Sequence, residues 1–487
     1  MVSSRHNGSG KLFIDSIHGD IHLTGREVEI IDTASFQRLR QLKQLAMAQL
    51  VYPAATHTRF AHSIGVLGTM IRILYTANKK GITFDKDEEE NLRLAALLHD
   101  VGHYPYSHLM ETIDRVRLTE EQIDNATSTQ KLLNATKSVY PDHRELGKLI
   151  VTEQRDLIDA IGGNERAQAV ADLFTRAKVG HPQLNKLISS SLDLDRLDYL
   201  LRDSQATGVP YGQIDIAYLL NNLKVSPEKM VGFSDKALPA AEHMLLARFF
   251  MHRAVYYHKT TYGLEEACRQ LLRRLRDDNR KCKEYGIPID GEKIKERVTG
   301  PKLFTFTDAF VDNVIQKAVD DKNEVIKALA RAVQKRRPPA LLKEVQVCEK
   351  KGQAHHAGTM FMSNCKSKLD KLAGKFDIPL GQFLLCETKP LFIGERPEEL
   401  TAREAAKLRK EEVLDRAAEE EEKDIKIFVG DDDRTEPVSL LNMEHSLVAK
   451  YSDYSFQIFR LYVVYEGADR DEVVGKLQDR VKDWDKS

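Results

Sequence analysis

Hydrophobic and polar positions recur along this chain with two different periods, and the period changes near residue 27. Residues 11–25 alternate apolar and polar side chains around a central glycine, which is typical of a short β-hairpin. From there to about residue 278 the apolar residues recur at helical spacing. The predicted helices cover roughly 62–80, 87–101, 143–153, 156–162, 165–176, 183–203, 212–223 and 238–278. We therefore expect a mostly α-helical domain over residues 1–280.

Beyond residue 280 shorter apolar segments replace the long helical periods. Segments such as "ALLKEVQV", "QFLLCETKPLFIG" and "FQIFRLYVVYEG" are typical of strands, and a last helical pattern covers about 469–484. Residues 396–424 are dense in charge and poor in large apolar side chains, so an exposed helix and a mobile linker both fit. We expect residues 281–487 to form a smaller α+β region that contains this charged segment.

Composition limits the class of protein. A chain of 487 residues is too long for one compact core, and 42% hydrophobic with 30% charged residues is typical of a soluble globular protein. The net charge of −1 gives no global support for binding nucleic acid or a membrane. No apolar signal region begins the chain and no uninterrupted apolar run reaches membrane-spanning length, so we expect a cytoplasmic protein.

The five cysteines argue against two common kinds of site. They lie far apart in sequence and no pair has C-x-x-C spacing, so neither a zinc ribbon nor a dithiol redox motif is supported. Their odd number fits a reducing compartment.

The candidate chemistry lies in four segments that contain histidine or aspartate. The densest is "LLHDVGHYPYSH", residues 97–108, in which three histidines and one aspartate lie among apolar and small residues. Imidazole can serve as a metal ligand, a proton carrier or a phosphate partner. The other segments are "THTRFAHSIGV" at 56–66, "YPDHRELG" at 140–147 and "SLDLDRLDYLLRD" at 191–203.

Residue chemistry alone favours a metal site at the start of the 97–108 segment. A lone histidine is more often a hydrogen-bonded core residue, but His99 is followed by Asp100, and His62 occupies a similar setting upstream. Imidazole and carboxylate together suit Fe, Mn, Zn, Ni or Co better than Ca or Mg. The acids of the 191–203 segment lie among leucines, and a buried aspartate needs a metal or an arginine as its partner. His103 and His108 fit either a turn that faces a cleft or a pair of solvated loop histidines.

Five sequence blocks resemble, in the same order, blocks of the HD phosphohydrolase superfamily and, within it, of the deoxynucleoside triphosphate triphosphohydrolases. They are "DTASFQRLRQLKQL", "HTRFAHSIGV", "LLHDVGHYPYSH", "LDLDRLDYLLRD" and "MHRAVYYHK". The resemblance covers roughly residues 11–260 and fades after about 280. It implies a mainly α fold, with an HD-domain helical phosphohydrolase core and a smaller α+β C-terminal region. Where the family has a glutamate after the histidine of the 140–147 segment, this chain has Arg144.

The resemblance also implies roles for individual residues. The ligands of one transition metal would be His62, His99, Asp100 and Asp195. The residues that handle protons and the scissile bond would be His103, His108, Glu111 and His143, with Glu111 orienting His108. The triphosphate and the deoxyribose or base would contact Arg59, Gln44, Leu45, Arg196, Tyr199, Asp203, Arg248 and Tyr256. An activating guanine nucleotide, GTP or dGTP, would bind at Lys11, Asp32, Gln37 and Arg40.

The reaction that the resemblance implies is hydrolysis at the α-phosphorus of a deoxynucleoside triphosphate, with Mg²⁺ on the triphosphate. The products would be a deoxynucleoside and inorganic triphosphate, and the enzyme would be a homo-oligomer, a dimer or a tetramer. Two alternatives stay open. One is an HD-type nuclease or phosphodiesterase, for which the basic stretches 269–283 and 335–343 give some support. The other is a nucleotide sensor without turnover, which the intact ligand set disfavours.

Overall fold

The computed structural model describes residues 10–113, 140–175, 194–226, 231–350, 356–394, 425–430 and 436–486. These residues are mainly helical, with short sheets at the N-terminus and in the C-terminal region, so the predicted fold class is confirmed. The charged segment 396–424 lies outside the described residues, as do residues 183–193 of one predicted helix.

Helices form most of the described chain. Those before residue 260 are α1 Gly25–Ile31, α2 Ala34–Gln37, α3 Arg59–Lys79, α4 Lys86–Leu98, α5 His108–Glu111, α6 His143–Glu153, α7 Arg155–Ile161, α8 Asn164–Phe174, α9 Leu194–Thr207, α10 Ile216–Asn221 and α11 Leu238–Met251. The later ones are α12 Lys259–Asp277, α13 Asn279–Tyr285, α14 Gly291–Thr299, α15 Asp308–Ala318, α16 Glu324–Gln334, α17 His356–Phe376, α18 Leu447–Tyr451 and α19 Arg470–Val481.

Three small sheets accompany the helices in the described part of the chain. The predicted N-terminal hairpin is present as β1 Lys11–Asp15 and antiparallel β2 Gly19–Leu23. The second sheet contains β5 Ala340–Lys350, β6 Phe383–Glu387, β7 Leu391–Phe392 and β10 Tyr454–Val463, with β10 antiparallel to the other three. The third joins β3 Leu223–Val225, β4 Val231–Ser234, β8 Lys426–Phe428 and β9 Val438–Ser439 in that order.

Helix α3 forms the centre of the core. Thr58 caps its first turn by accepting a hydrogen bond from the Ala61 N–H, and its apolar residues pack against α4 and α9. By length and composition α3 is the one described helix apolar enough to cross a membrane, but most of it is buried inside the protein, as in the core helix of a soluble protein. This burial places the polar side chains of its first turn in the interior.

The predicted continuous helix over 238–278 is wrong, because the chain changes geometry at residue 252. Residues His252–Tyr256 form a π turn, in which the Tyr257 N–H donates to the His252 carbonyl five residues earlier at 2.7 Å. Helix α12 then starts afresh after His258. Single π turns inside helices occur frequently at functional sites.

The C-terminal region has a hydrophobic cluster of its own, and it also contributes a strand to the helical part. Its own hydrophobic cluster lies between the β5–β10–β6 sheet and helices α17 and α19, around Phe361, Leu461 and Leu477. Strand β8 instead pairs in parallel with β4, and its Ile427 belongs to the large cluster of the helical part. All five cysteines are free thiols.

Candidate active site

Three helices deliver one group of potential metal ligands to the interior. His62 lies in the first turn of α3, His99 and Asp100 follow the end of α4, and Asp195 opens α9. The nearest ligand atoms of His62, His99 and Asp195 all lie within 4.8 Å of one another. Asp100 borders the same space, since its carboxylate oxygens lie 3.7 Å from His62 Nε2 and 3.4 Å from His99 Nε2. All four residues therefore converge on one point.

The ring nitrogens of this group are arranged as metal ligands require. His62 donates from Nδ1 to Asp198 at 2.7 Å, and His99 donates from Nδ1 to the Ala96 carbonyl at 2.9 Å. Since both acceptors are oxygens, each ring is anchored through its Nδ1 proton and turns Nε2 toward the other ligands. Both Nε2 atoms are buried without a hydrogen-bond partner, although His62 Nε2 lies 2.9 Å from Asp195. A divalent metal fits this donor set of two imidazoles and two carboxylates.

Electrostatics at His62 favour a positive charge in this space. Burial lowers the pKa of His62, but the neighbouring Asp195 and Asp198 carboxylates outweigh burial and raise it to about 10. The surroundings therefore stabilise a cation at the point where the ligand atoms meet.

The charge state of Asp100 leads to the same conclusion. Burial opposes its ionisation, yet Arg59, His103 and His99 hold the pKa of Asp100 well below its usual range. Asp100 is therefore ionised and can act as an anionic ligand, with Arg59 supplying one balancing positive charge in the buried space.

A second group of histidines borders the first and shares a buried glutamate. Glu111 at the end of α5 is 3% exposed, and its two oxygens lie 2.7 Å from His108 Nδ1 and 3.4 Å from His143 Nδ1. Burial opposes ionisation of Glu111, but its contacts with the two imidazoles hold its pKa below the usual range. His103 contacts Asp100 through Nε2 at 3.0 Å, so Asp100 touches both groups. Glu111 therefore orients two of the predicted proton-handling histidines.

The second group suits proton and phosphate chemistry better than metal binding. The nearest ring nitrogens of His103, His108 and His143 also lie within 4.8 Å of one another. However, the rings of His103 and His143 stack nearly parallel, 4.2 Å apart with an interplanar angle of 14°. Lone pairs lie in the ring planes, so stacked rings do not direct their nitrogens at one ion. Burial and the charge of Arg59 hold the pKa of His103 well below its usual range, so this ring is neutral.

Arg59 joins the two groups to a strained turn. Its guanidinium donates to Asp100 at 2.7 Å and, through Nε, to the Ser107 hydroxyl at 3.0 Å. Tyr106 and Ser107 both have a φ of 54°. Non-glycine residues adopt such a backbone at a cost of ~1–3 kcal/mol each. The strained turn places His108 at the start of α5.

Asp203 organises the predicted sugar end of the site. It accepts hydrogen bonds from His57 Nε2 and from the Tyr256 hydroxyl, each at 2.7 Å. The ring centroid of Tyr199 lies 6.4 Å from that of Tyr256. The structure thus brings the predicted residues Tyr199, Asp203 and Tyr256 together.

Gln44 and Leu45 precede helix α3 in the chain. Gln44 is buried with its Oε1 unpartnered, and its backbone N–H donates to the His57 carbonyl at 3.0 Å. Leu45 beside it is half-buried. The pair is therefore bound to the backbone of His57, whose side chain contacts Asp203.

A cationic group lies where α9 and α11 pack together. Arg196 follows Asp195 on α9, while Arg248 and His252 lie one helical turn apart at the end of α11. Burial and then the positive charges of Arg248, Arg196 and Lys389 hold the pKa of His252 well below its usual range. Several positive charges around a buried neutral imidazole make this part of the site suitable for an anion.

The four predicted activator residues lie near one another on the surface. Lys11 Nζ is 3.7 Å from Asp32, Gln37 donates to the Ile31 carbonyl at 2.7 Å, and Arg40 donates to Gln37 at 2.8 Å. Lys11 belongs to the hairpin, so this group joins β1 to α1 and α2.

Three histidines without a predicted role lie at or behind the site. His57 contacts Asp203, His252 lies among the arginines, and His18 of the hairpin contacts Asp198. His57 begins the block "HTRFAHSIGV" and His252 lies inside "MHRAVYYHK", and membership of these blocks was the available signal. His18 lies outside all five blocks.

Two family models match the chain. The HD domain model matches residues 59–203, and the HD associated region model matches residues 214–288. Together they span the helices that carry both histidine groups and the cationic group.

Curated relatives match about half of the chain. An uncharacterized protein of Methanocaldococcus jannaschii is 34% identical over 51% of this chain and 46% of its own length. The deoxynucleoside triphosphate triphosphohydrolase SAMHD1 of Homo sapiens is 30% identical over 52% of this chain and 43% of its own length. The chain thus spans about half the length of these relatives.

Solved structures match nearly the whole chain. A phosphohydrolase of Bacteroides thetaiotaomicron superimposes with a TM-score of 0.66 at 20% identity, over 93% of this chain and 99% of that one. A hypothetical protein of Aquifex aeolicus gives a TM-score of 0.63 at 21% identity, over 97% of this chain and 100% of that one. At these identities the likeness shows the fold alone.

Proposed function

This chain carries an HD domain in the phosphohydrolase fold, and from that premise we propose that it is a metal-dependent hydrolase of deoxynucleoside triphosphates. One observation carries the proposal: Asp100 joins a metal-type His/Asp group to a His/Glu group suited to moving protons. The similarity to the SAMHD1 triphosphohydrolases supports the choice of substrate.

The metal would be held by His62, His99, Asp100 and Asp195, as one ion of Fe, Mn, Zn, Ni or Co. When bound, such an ion polarises a phosphate oxygen and acidifies a water. We expect Mg²⁺ to arrive with the triphosphate, because Mg²⁺ prefers phosphate oxygens and water.

The cationic group would bind the triphosphate. Arg196 and Arg248 supply guanidinium forks, which match phosphate oxygens. His252 joins this group to the sugar end, because its ring lies 4.8 Å from that of Tyr256. In this scheme Arg59 acts close to the scissile bond, where it already contacts Asp100.

The sugar end would surround the deoxyribose and the base. The Asp203 carboxylate offers acceptor oxygens, and its two partners, the His57 ring and the Tyr256 hydroxyl, are held at fixed positions beside it. The base and the sugar would also contact Gln44, Leu45 and Tyr199.

The chemical step would use the His/Glu group. A water oxygen attacks the α-phosphorus, the bond from that phosphorus to the 5′-oxygen breaks, and the 5′-oxygen gains a proton. His108, with Glu111 holding its Nδ1, would pass a proton at its Nε2, while His143 and the neutral His103 would assist as proton or phosphate partners. The products are a deoxynucleoside and inorganic triphosphate.

Regulation and assembly extend the same proposal. A guanine nucleotide at Lys11, Asp32, Gln37 and Arg40 would activate the enzyme, and we expect a homo-oligomer, whose size sedimentation can measure.

The basic stretch 269–283 gives the nuclease alternative only weak support, because four of its seven arginines and lysines have partners within the fold. Arg269 is bound to Glu266 and Thr112, and Lys281 pairs with Asp321. Arg273 and Arg276 bind the Ile113 carbonyl, whereas Arg274, Arg280 and Lys283 are exposed.

The first experiment tests the reaction. Purified protein is incubated with each deoxynucleoside triphosphate, singly and mixed, with Mn²⁺ or Mg²⁺, and the products are separated by anion exchange. We expect deoxynucleoside plus inorganic triphosphate, and activity in mixtures alone would indicate nucleotide activation. The activity of Asp195→Asn should fall by more than the ~10–100-fold that follows from removing a residue behind a metal ligand, because Asp195 is itself a proposed ligand. The surface variant Asp159→Asn serves as its control.

The outcome that would contradict the proposal is also defined by the products. Release of monophosphate and pyrophosphate would refute the proposed bond cleavage. Hydrolysis of oligonucleotides without any turnover of the triphosphates would favour the nuclease alternative.

A further inference from the structure

The N-terminal hairpin reaches the back of the metal centre through a buried ion-pair network. Asp198 is fully buried between α3 and α9, and it accepts hydrogen bonds from three different side chains. His62 Nδ1 donates at 2.7 Å, His18 Nε2 donates at 2.8 Å, and Arg202 donates through two nitrogens at 2.7 and 2.8 Å. The hairpin residue His18 and the metal ligand His62 therefore share one carboxylate.

A second contact fixes the hairpin to the same arginine. Asp15 at the end of β1 lies 3.0 Å from Arg202, and it also accepts from the backbone N–H of His18 at 3.0 Å. The side chains of His18, Asp198 and Arg202 are at most 4% exposed. Each member of the network is thus held by at least one other, away from water.

The neighbouring helix leaves room for this network. A Cβ atom at Gly65 of α3 would lie 1.9 Å from Asp198 Oδ1 and 2.2 Å from Arg202 Nη2. Only glycine fits at position 65, so Asp198 and Arg202 pack directly against the backbone of α3. The carboxylate therefore has little freedom to turn. Its orientation is set by the donors around it, of which His18 comes from outside the part that matches the HD domain.

The orientation of Asp198 matters because it fixes His62. A metal-bound histidine needs its second nitrogen anchored, and the anchor decides both the tautomer and the ring angle. Without the His18 donor, Oδ1 of Asp198 loses a buried hydrogen bond and keeps only the one from Arg202, so the carboxylate that anchors His62 is less firmly held.

We propose that His18 is a positioning residue for the metal centre, which orients His62 through Asp198 and makes the β1–β2 hairpin a structural part of the site. This inference rests on the metal ligands assigned in the proposed function. It adds a residue that touches neither substrate nor metal.

Two substitutions of the same residue separate the hydrogen bond from the packing. Gln places its amide nitrogen close to the position of histidine Nε2 and keeps a donor to Asp198, whereas Asn places its amide close to Nδ1 and does not reach. His22 supplies the control, because its side chain is exposed on β2 of the same hairpin. The variants are His18→Gln, His18→Asn and His22→Asn.

The full-length protein is stripped of metal with a chelator and titrated with Co²⁺ against a competing chelator, without nucleotide. We expect His18→Asn to raise the Kd for Co²⁺ by ~10–100-fold and to alter the visible Co²⁺ spectrum. His18→Gln should restore both readings, and His22→Asn should match the wild type. Thermal unfolding of each variant reports whether the fold is kept.

Two results would overturn the inference alone. They are an unchanged Kd and spectrum in His18→Asn, or equal losses in His18→Asn and His18→Gln, which would assign the effect to packing. A wild-type protein that binds no Co²⁺ would instead overturn the metal assignment of the proposed function, and this inference with it.

Discussion

Glu111 is central to the proposed proton transfer, because its carboxylate contacts both His108 and His143. Glu111→Gln keeps the size of the side chain but offers one acceptor oxygen and one donor nitrogen. The two imidazole N–H groups then cannot both be bound. We expect kcat to fall by ~10²–10⁴-fold while bound metal stays constant, because general acid–base catalysis contributes about that much.

Steady-state kinetics together with metal analysis check this prediction. Glu145→Gln is the matched control, because Glu145 lies in the first turn of α6 with its side chain half exposed. Equal kcat values for the two variants would remove Glu111 from the mechanism. Loss of metal in Glu111→Gln would mean that the two histidine groups are not separate.

Individual candidate site residues could be proposed from the sequence where several histidine and aspartate side chains lie close together along the chain. His99, Asp100, His103 and His108 lie close together in one block, so a motif could identify them at once. His18 and Asp198 are 180 residues apart, and no local pattern connects them. A lone histidine looks like any core histidine until the fold supplies its partner.

At the scale of elements, the turn after α4 depends on a close approach to α6. A Cβ atom at Gly102 would lie 2.0 Å from the His143 carbonyl and 2.2 Å from the Gly147 nitrogen. Backbone atoms cannot yield as a flexible side chain can. Gly102→Ala should therefore lower the free energy of unfolding by ~1–3 kcal/mol or more, and displace His143.

Urea denaturation measures this effect. Gly374→Ala is the control, since Gly374 is an exposed residue of α17 and a Cβ there meets nothing within 4 Å. That change should stabilise by ~0.5–1 kcal/mol, because alanine favours a helix more than glycine does. If both variants were equally stable, the turn and α6 would not be in tight contact.

Periodicity located most of the described helices between residues 59 and 251 to within a few residues, but it missed the helices between residues 279 and 376 and the break at His252–Tyr256. Apolar residues keep recurring at about helical spacing through that segment. The one extra residue of a π turn therefore leaves no clear mark in the sequence pattern. The extra residue becomes visible only in the backbone hydrogen bonds.

At the scale of the whole molecule, strand β8 ties the C-terminal region to the helical core. Ile427 is fully buried opposite Phe233 of β4, whereas its neighbour Val429 is 44% exposed. Ile427→Ala should reduce the free energy of unfolding by ~2–5 kcal/mol, and Val429→Ala by less than ~0.5 kcal/mol.

Chemical unfolding followed by circular dichroism distinguishes two cases. A shift of the main transition in Ile427→Ala is expected if both parts unfold together. A main transition that stays in place would mean that the C-terminal region unfolds as a separate unit.

The sequence located the strands β5, β6, β7 and β10, although helices continue to residue 376 where strand-like segments were expected from residue 281, and it did not show which distant segments pair. Strands β4 and β8 are nearly two hundred residues apart, and long-range pairing leaves no trace in local periodicity. The domain boundary near residue 280 stays a prediction, because the main hydrophobic cluster includes residues on both sides of it.

The contact between His18 and Asp198 has a consequence for the order in which the protein is made. The two residues are separated by 180 positions, so at ~5–20 residues per second about 10–40 s of synthesis pass between them. The hairpin emerges from the ribosome well before the helix on which it docks. Binding of the proposed metal would therefore have to wait for α9, because Asp195 of this helix is one of the four proposed ligands.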